Sequence, residues 1–380
     1  MDETVWSKLP AEMFVKTMQF LPPVRVLQQR TLSKWVYQAT SSVSFNHLYW
    51  KQRKRVNETW LLLVQIDMKG SFKDLSSYDF CLEKWYRLPR DNLSNLNGRI
   101  DVVASAGSHL LCKGEFGNLP DKLYMCNPLR GTWRELPPMQ KQRREPRVGV
   151  VHVQEDPADV DGDAFKVVVA GGFCPWGHIK FDLSSEVYDS RTDSWKMTES
   201  IPEDFVPCLK FFQYKGSLYS VTYGIIDDAI CARDVILYNL ESGIWSKVQA
   251  AMPEGLMQVN VVECNERLLM VGIVRASSIK IWMLDDSAKN WEEIATMPPD
   301  TFNEFAKSIS SNFSCTSTYS IGKGRYICLI LNHSPLVLKF DMDLNTWTWL
   351  PKHLHENGRG LMYWTGMFFN PRLELDHKQS

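Results

Sequence analysis

The chain carries no charge of one sign to spare: Lys plus Arg number 43 and Asp plus Glu 44 over 380 residues, a net charge of −1. A general nucleic-acid binder needs a basic excess, so no nucleic-acid partner is expected. Long hydrophobic runs are also missing. Trp60–Val64 and Ile327–Leu331 are the longest, far below the ~18 residues of a membrane helix, so no membrane partner is expected. Met1-Asp2-Glu3-Thr4 has neither the basic nor the apolar part of a secretory leader. The nine cysteines are an odd number without Cys-x-x-Cys spacing. They read as reduced, mostly buried thiols of a cytoplasmic or nuclear protein.

Catalytic signatures are lacking too. There is no Gly-x-Gly-x-x-Gly, no P-loop, no His-Glu-x-x-His and no Gly-x-Ser-x-Gly, so no enzyme and no cofactor is expected. His353-x-His355 is the tightest histidine pair, without a third ligand near it in sequence. The acidic run from Glu155 to Asp163 lacks the terminal bidentate Glu of a calcium loop and reads as an exposed connection. Just before it, Lys141, Arg143, Arg144 and Arg147 form a basic stretch that could meet a charged partner.

What the chain has in excess is tryptophan, 14 residues, and a repeat accounts for much of it. Trp85, Trp133, Trp195, Trp245, Trp291 and Trp347 each follow an Asp or Asn by six positions: Asp79, Asn127, Asp189, Asn239, Asp285 and Asp341. The residue before the Asx is usually aromatic, and Leu-Pro or Met-Pro often follows, as in Leu88-Pro89, Leu136-Pro137, Met297-Pro298 and Leu350-Pro351. Asx side chains bond loop amides, so each phrase reads as a β-hairpin with tryptophan opening the returning strand. Two more strand-like runs precede each hairpin, such as 147–153 with 165–172, or 258–264 with 267–273. Four short strands about every 50 residues, six times over, predict a mainly β chain folded as a six-bladed propeller. The first copy has one strong run before its hairpin, 60–67, while 361–369 is left over at the other end. The expectation is that this C-terminal run completes the first blade and closes the ring.

The spacing resembles kelch repeats, with Gly171-Gly172, Tyr188-Asp189 and Trp195 as a full match in the third copy. Residues 1–56 have another grammar. Pro10 and Glu12 mark a helix start. Met13, Val15, Met18 and Leu21 share a helical face that ends at Pro22-Pro23. A second helical stretch carries Val24, Leu27, Leu32 and Val36, and a third begins near Phe45. So small a module buries little by itself. Leu9-Pro10-x-Glu12-Met13, Phe20-Leu21-Pro22, Val26-Leu27, Arg30, Ser33-Lys34-Trp35 and Phe45 resemble an F-box, with Trp35 one place early against the usual pattern. The whole chain is similar to the F-box/kelch-repeat proteins of plants.

That resemblance implies a substrate-recognition subunit of an SCF-type cullin–RING ubiquitin ligase. Its F-box would dock on a Skp-type adaptor, and through it on the cullin and RING subunits, while the propeller captures a protein substrate. Leu9, Pro10, Met13, Met18, Leu21, Pro22 and Leu27 are the expected adaptor-binding residues. On the residues alone, the same side chains could instead form an internal core against the propeller. A propeller scaffold acting without a ligase is the alternative function. The expected domains are a helical module over 1–56, the propeller over 57–372 and a tail over 373–380. Loops 115–121, 174–181 and 227–233 are candidates for substrate contact.

Overall fold

The computed structural model describes residues 10–42, 44–46, 48–49, 60–67, 70, 72–88, 99–117, 119–129, 132–153, 164–174, 181–205, 210–226, 229–274, 278–287, 289–308, 318–353 and 362–370. Short helices come first: α1 (Ala11–Met18), α2 (Pro23–Arg30) and α3 (Lys34–Ser41), with 44–46 and 48–49 helical as well, as expected near Phe45. Pro10 precedes α1, with Glu12 in its first turn, and Pro23 opens α2, where a missing N–H costs nothing. The second expected stretch is two helices, not one. The Ser33 hydroxyl accepts from the Val36 amide at 3.1 Å and starts α3 afresh, a local cap that outweighs the continuous apolar pattern.

The strands follow blade by blade. Blade 1 holds β1 (Trp60–Asp67), β2 (Phe72–Asp79) and β3 (Lys84–Arg87); blade 2 holds β4 (Arg99–Ala106), β5 (His109–Glu115), β6 (Lys122–Asn127) and β7 (Thr132–Glu135). Blade 3 holds β8 (Arg147–His152), β9 (Phe165–Ala170), β10 (Ser185–Asp189) and β11 (Ser194–Thr198). Blade 4 holds β12 (Phe212–Tyr214), β13 (Ser217–Ile226), β14 (Ala229–Asn239) and β15 (Trp245–Lys247). Blade 5 holds β16 (Leu256–Cys264), β17 (Arg267–Val274), β18 (Ser278–Asp285) and β19 (Asn290–Thr296). Helix α4 (Pro299–Ser308) leads to blade 6, with β20 (Thr318–Lys323), β21 (Tyr326–Leu331), β22 (Val337–Asp341) and β23 (Thr346–Trp349), and β24 (Met362–Phe369) ends the fold.

Each of six sheets has four antiparallel strands, and the C-terminal strand completes the first in the order β24-β1-β2-β3. Trp60 pairs with Phe369 and Asp67 with Met362, as the leftover run implied. The innermost strands β24, β4, β8, β12, β16 and β20 each touch the next, and β20 returns to β24. The protein is therefore a closed six-bladed β-propeller of kelch-like repeats.

No single central core exists; the apolar side chains fill the six seams between blades. In β1, Leu62 and Val64 join the cluster toward blade 2, while Leu61 and Leu63 join the one toward blade 6. Val167 and Val169 face blade 2, and Val168 and Ala170 face blade 4. Side chains alternate across a strand, so a strand sandwiched between blades must be apolar on both faces. That is why the middle strands read as unbroken apolar runs.

The repeat has the expected form. Tyr78 pairs with Trp85, Cys126 with Trp133, Tyr188 with Trp195, Tyr238 with Trp245, Leu284 with Trp291 and Phe340 with Trp347. Every Asx oxygen accepts a turn amide: Asp79 from Cys81, Asn127 from Leu129, Asp189 from Arg191, Asn239 from Glu241, Asp285 from Ser287 and Asp341 from Asp343, at 2.8–3.1 Å. Two residues before the tryptophan the chain turns left-handed, at Glu83, Asp193, Gly243, Lys289 and Asn345 (φ 49–71). The tryptophans pack on the preceding blade, and three indoles donate to its exit segment: Trp85 to the Pro351 carbonyl, Trp195 to that of Pro137 and Trp245 to that of Glu199, at 2.8–3.2 Å. Blade 6 differs. The Pro298 carbonyl accepts from Phe302 in the first turn of α4, and the Trp347 indole N–H is buried without a partner. Helix α4, which no sequence pattern announced, takes the Pro298 carbonyl into its own first turn.

Candidate functional site: the helical module and the channel mouth

The helical module is pinned to blades 1 and 2 from its inner side. Met18, Val26, Phe45 and Tyr49 are buried in one cluster with Trp60, Tyr86 and Phe369. The Tyr49 hydroxyl donates to the Leu21 carbonyl at 2.7 Å. Arg30 ties α2 to α3 through the Thr40 hydroxyl and carbonyl at 3.1 and 2.6 Å. Arg25 lies near Tyr86 of β3, whose phenol is pushed up chiefly by burial, with Asp79 adding to the rise and Arg25 opposing it.

The outer side is unlike an ordinary surface. Met13 is 50% exposed, Phe20 69%, Leu32 67% and Trp35 46%, and Tyr37 and Leu48 are open as well. Six large apolar side chains within one small module exceed the scattered exposure normal for a soluble surface. Phe14 packs obliquely on Trp35, ring centres 5.1 Å apart, which props the indole outward.

The residues nominated from sequence divide between the two sides. Pro10 and Met13 face out, Met18 is 5% exposed, and Leu21, Pro22 and Leu27 are half-buried; Leu21 and Leu27 lie against the inner cluster. Leu9 lies outside the described residues. Phe20, Leu32, Trp35, Tyr37 and Leu48 were not nominated as adaptor contacts. Tyr37 and Leu48 carry no signal in sequence beyond an apolar side chain off the buried helical stripe.

Of the basic stretch before the acidic run, Lys141 is exposed and Arg144 and Arg147 are half-buried, but Arg143 is not surface at all. Arg143 and Glu186 are both fully buried and paired at 2.8 Å; Arg143 also donates to the Gly171 and Ser184 carbonyls at 3.1 and 2.7 Å. Glu186 accepts from the Gln140 amide, and Lys141 pairs with Asp182 at 2.8 Å. These charges staple the entry segment of blade 3 to its own sheet. The double glycine beside them has a steric reason: both carry positive φ, and a Cβ on Gly171 would lie 2.5 Å from the Phe181 ring.

Other candidates resolve as follows. Segments 115–121 and 174–181 connect second to third strands, with 118 and 175–180 outside the described residues. Residues 229–233 are strand rather than loop, because β13 and β14 pair out to Ile226 and Ala229. His353 is buried between Trp85 and Trp364, ring centres 4.9 and 5.2 Å away, with Nε2 3.6 Å from Asp74. It fills the closing seam; His355, Lys51–Arg55 and 154–163 lie outside the described residues. Among the described residues no group of three His, Cys, Asp or Glu could hold a metal. Of the seven described cysteines, all free, Cys112, Cys126, Cys264 and Cys328 are buried. Burial pushes the Cys264 thiol up to about 12 and raises Cys112 and Cys328, which holds these three thiols protonated and unreactive.

Where the innermost strands end, the ring opens in a cavity of about 600 Å³, lined from blades 1, 2, 3, 4 and 6. It lies on the side of Phe369, which is also the side of the helical module.

Ring and module together define a class: a kelch-like propeller that carries a small helical unit with an open apolar face. Residues 75–311 match the model of the KIB1-4 beta-propeller, and the chain belongs to that family. It is similar to Protein UNUSUAL FLORAL ORGANS of Arabidopsis thaliana, 26% identical over 92% of this chain and 80% of the relative. F-box only protein 6 of the same plant is 25% identical over 98% of this chain and 75% of the relative. An F-box/kelch-repeat protein, also from Arabidopsis thaliana, is 25% identical over 97% of this chain and 90% of its own length. Among solved structures, a chain from the crystal structure of a nidogen/laminin complex superposes with a TM-score of 0.51 at 9% identity, over 83% of this chain and 99% of that one. That likeness shows the propeller fold alone.

Proposed function

We propose that the protein is a non-catalytic substrate receptor of an SCF-type cullin–RING ubiquitin ligase, in cytoplasm or nucleus. Residues 1–56 would act as the F-box that docks a Skp-type adaptor, and 57–372 as the propeller that holds a protein substrate. The observation that carries this reading is the open apolar face of the module, Met13, Phe20, Leu32, Trp35, Tyr37 and Leu48, on helices whose other side is already anchored. Large apolar side chains held rigidly and left in water are what a partner's groove buries at an interface centre. The F-box names of the relatives support the same reading.

Within it, Leu9, Pro10 and Met13 meet the adaptor directly. Met18, Leu21 and Leu27 hold the helices to the blades, so that the adaptor and the propeller keep a set separation. Pro22 keeps the entry to α2. Function then follows from proximity: substrate lysines held near the ubiquitin-charged enzyme react at a raised effective concentration. Co-expression of the full chain with a Skp-type adaptor tests the reading. Wild type should co-purify with adaptor, while Met13→Asp/Trp35→Asp and Leu9→Ala/Pro10→Ala should lose it at an unchanged melting temperature. Equal recovery of adaptor with all three proteins would refute docking through this face.

A further inference from the structure

The channel mouth carries an excess of positive charge in a molecule that is nearly neutral overall. Lys166 of blade 3, Lys215 of blade 4 and Lys323 of blade 6 reach its wall, against Glu241, the single acid of the lining among the described residues. Lys166 faces Asp189 at 3.5 Å; Lys215 lies by Tyr214, its ammonium 5.0 Å from the ring centre, with Asp286 a lesser neighbour. Neither Lys215 nor Lys323 makes an ion pair among the described residues. Leu240 and Phe368 add apolar wall between the charges. The rim is low: Gly216 and Gly324 stand at hairpin turns with positive φ, and a Cβ on either would meet nothing within 4 Å.

We propose that this mouth binds an acidic peptide segment of a partner protein, carboxylates seated among Lys166, Lys215 and Lys323 and apolar side chains against Leu240 and Phe368. The cavity is far larger than one inorganic anion needs and within the range of peptide and ligand sites. The three ammonium groups come from three blades, so they surround a ligand instead of forming a stripe that would track a nucleic-acid backbone. Gathered at one opening, their charges add to a local positive potential. The inference does not depend on the adaptor reading, since it concerns residues remote in sequence from the helical module.

The full-length protein titrated into a fluorescein-labelled peptide of alternating glutamate and leucine, read by fluorescence anisotropy, tests it. Binding should weaken with added salt and fall about tenfold or more in Lys215→Glu/Lys323→Glu. It should stay at the wild-type value in Lys196→Glu, an exposed lysine on the outer strand of blade 3. The glutamine version of the peptide should not bind. If the double variant melts early, Lys323→Gln replaces it, with a smaller loss expected. The proposal is overturned if wild type fails to bind the glutamate peptide, or if the glutamine peptide binds as well. It is equally overturned if the mouth variants bind like wild type, or if an oligonucleotide of equal charge displaces the peptide with equal potency.

Discussion

Ending the chain at Gly360 removes β24 and tests how the ring is held shut. Eight residues of β24 lie in register against β1, and four of its side chains, Trp364, Met367, Phe368 and Phe369, are buried. Burying side chains of this size contributes about 1.5–3 kcal/mol each, roughly 6–12 kcal/mol in all before any hydrogen bond is counted. Cross-blade bonds go as well: Tyr319 of blade 6 donates to Thr365 and Gly366 at 3.0 and 3.1 Å, the Trp364 amide donates to Asn332 and the Asn370 amide to Gly107. The loss is comparable with the whole stability of a typical domain, about 5–15 kcal/mol. It also leaves β1 as a bare inner edge, which invites pairing between chains. Thermal unfolding followed by near-ultraviolet circular dichroism should show no cooperative transition in the truncated chain. A synthetic peptide of residues 361–370 added in trans should restore part of it. A truncated protein that melts at the full-length temperature would refute the seam argument.

Three smaller perturbations bear on the same architecture. Trp195→Ala should cost about 3–5 kcal/mol in urea unfolding, while Trp195→Phe should cost more than Trp347→Phe by about 1 kcal/mol, because only Trp195 has an indole hydrogen bond to lose; equal costs for the two would show that the bond contributes nothing. Arg143→Ala strands the buried Glu186 carboxylate and should cost about 3–5 kcal/mol, with the neutral pair Arg143→Met/Glu186→Leu recovering much of it; a single variant as stable as wild type would count against the staple. Burial pushes Asp121 from 3.8 up to about 6, against the opposing pull of Lys113 and the Glu145 amide. Its raised value means the folded state gains by acidification between pH 6 and 4 and carries an ionised, buried carboxylate above pH 6. Asp121→Asn should therefore stabilise the protein by roughly 1–3 kcal/mol at pH 7.5 and by progressively less as pH falls below 6, and a pH-independent difference would refute the assignment.

The parts that could be read before folding are those encoded within a dozen residues. Asp189 caps its own turn and Trp195 faces Tyr188 across one hairpin, so the spacing alone carries the motif. Ring closure could be read because a strand count left one run unpaired at each end. Ser33 was legible only in part: its hydroxyl is a cap signal, yet Leu27, Leu32 and Val36 suggested one unbroken helix. The buried state of Arg143 was not legible at all. An arginine among other basic residues looks like surface until Glu186, 43 positions away, is brought beside it.

Sequence by itself thus determined the blade number, the hairpin chemistry and the strand that joins the two ends, because turns and two-residue alternation are short-range. Tertiary structure alone decided which apolar residues of the module are spent inward and which remain open. Met18 and Phe20 are two positions apart and equally apolar, yet the first is buried in the cluster with Trp60 and the second is 69% exposed. The same holds at the channel mouth, where Lys166, Lys215 and Lys323 are scattered in the chain. Only the curvature of a six-fold ring turns them toward one point.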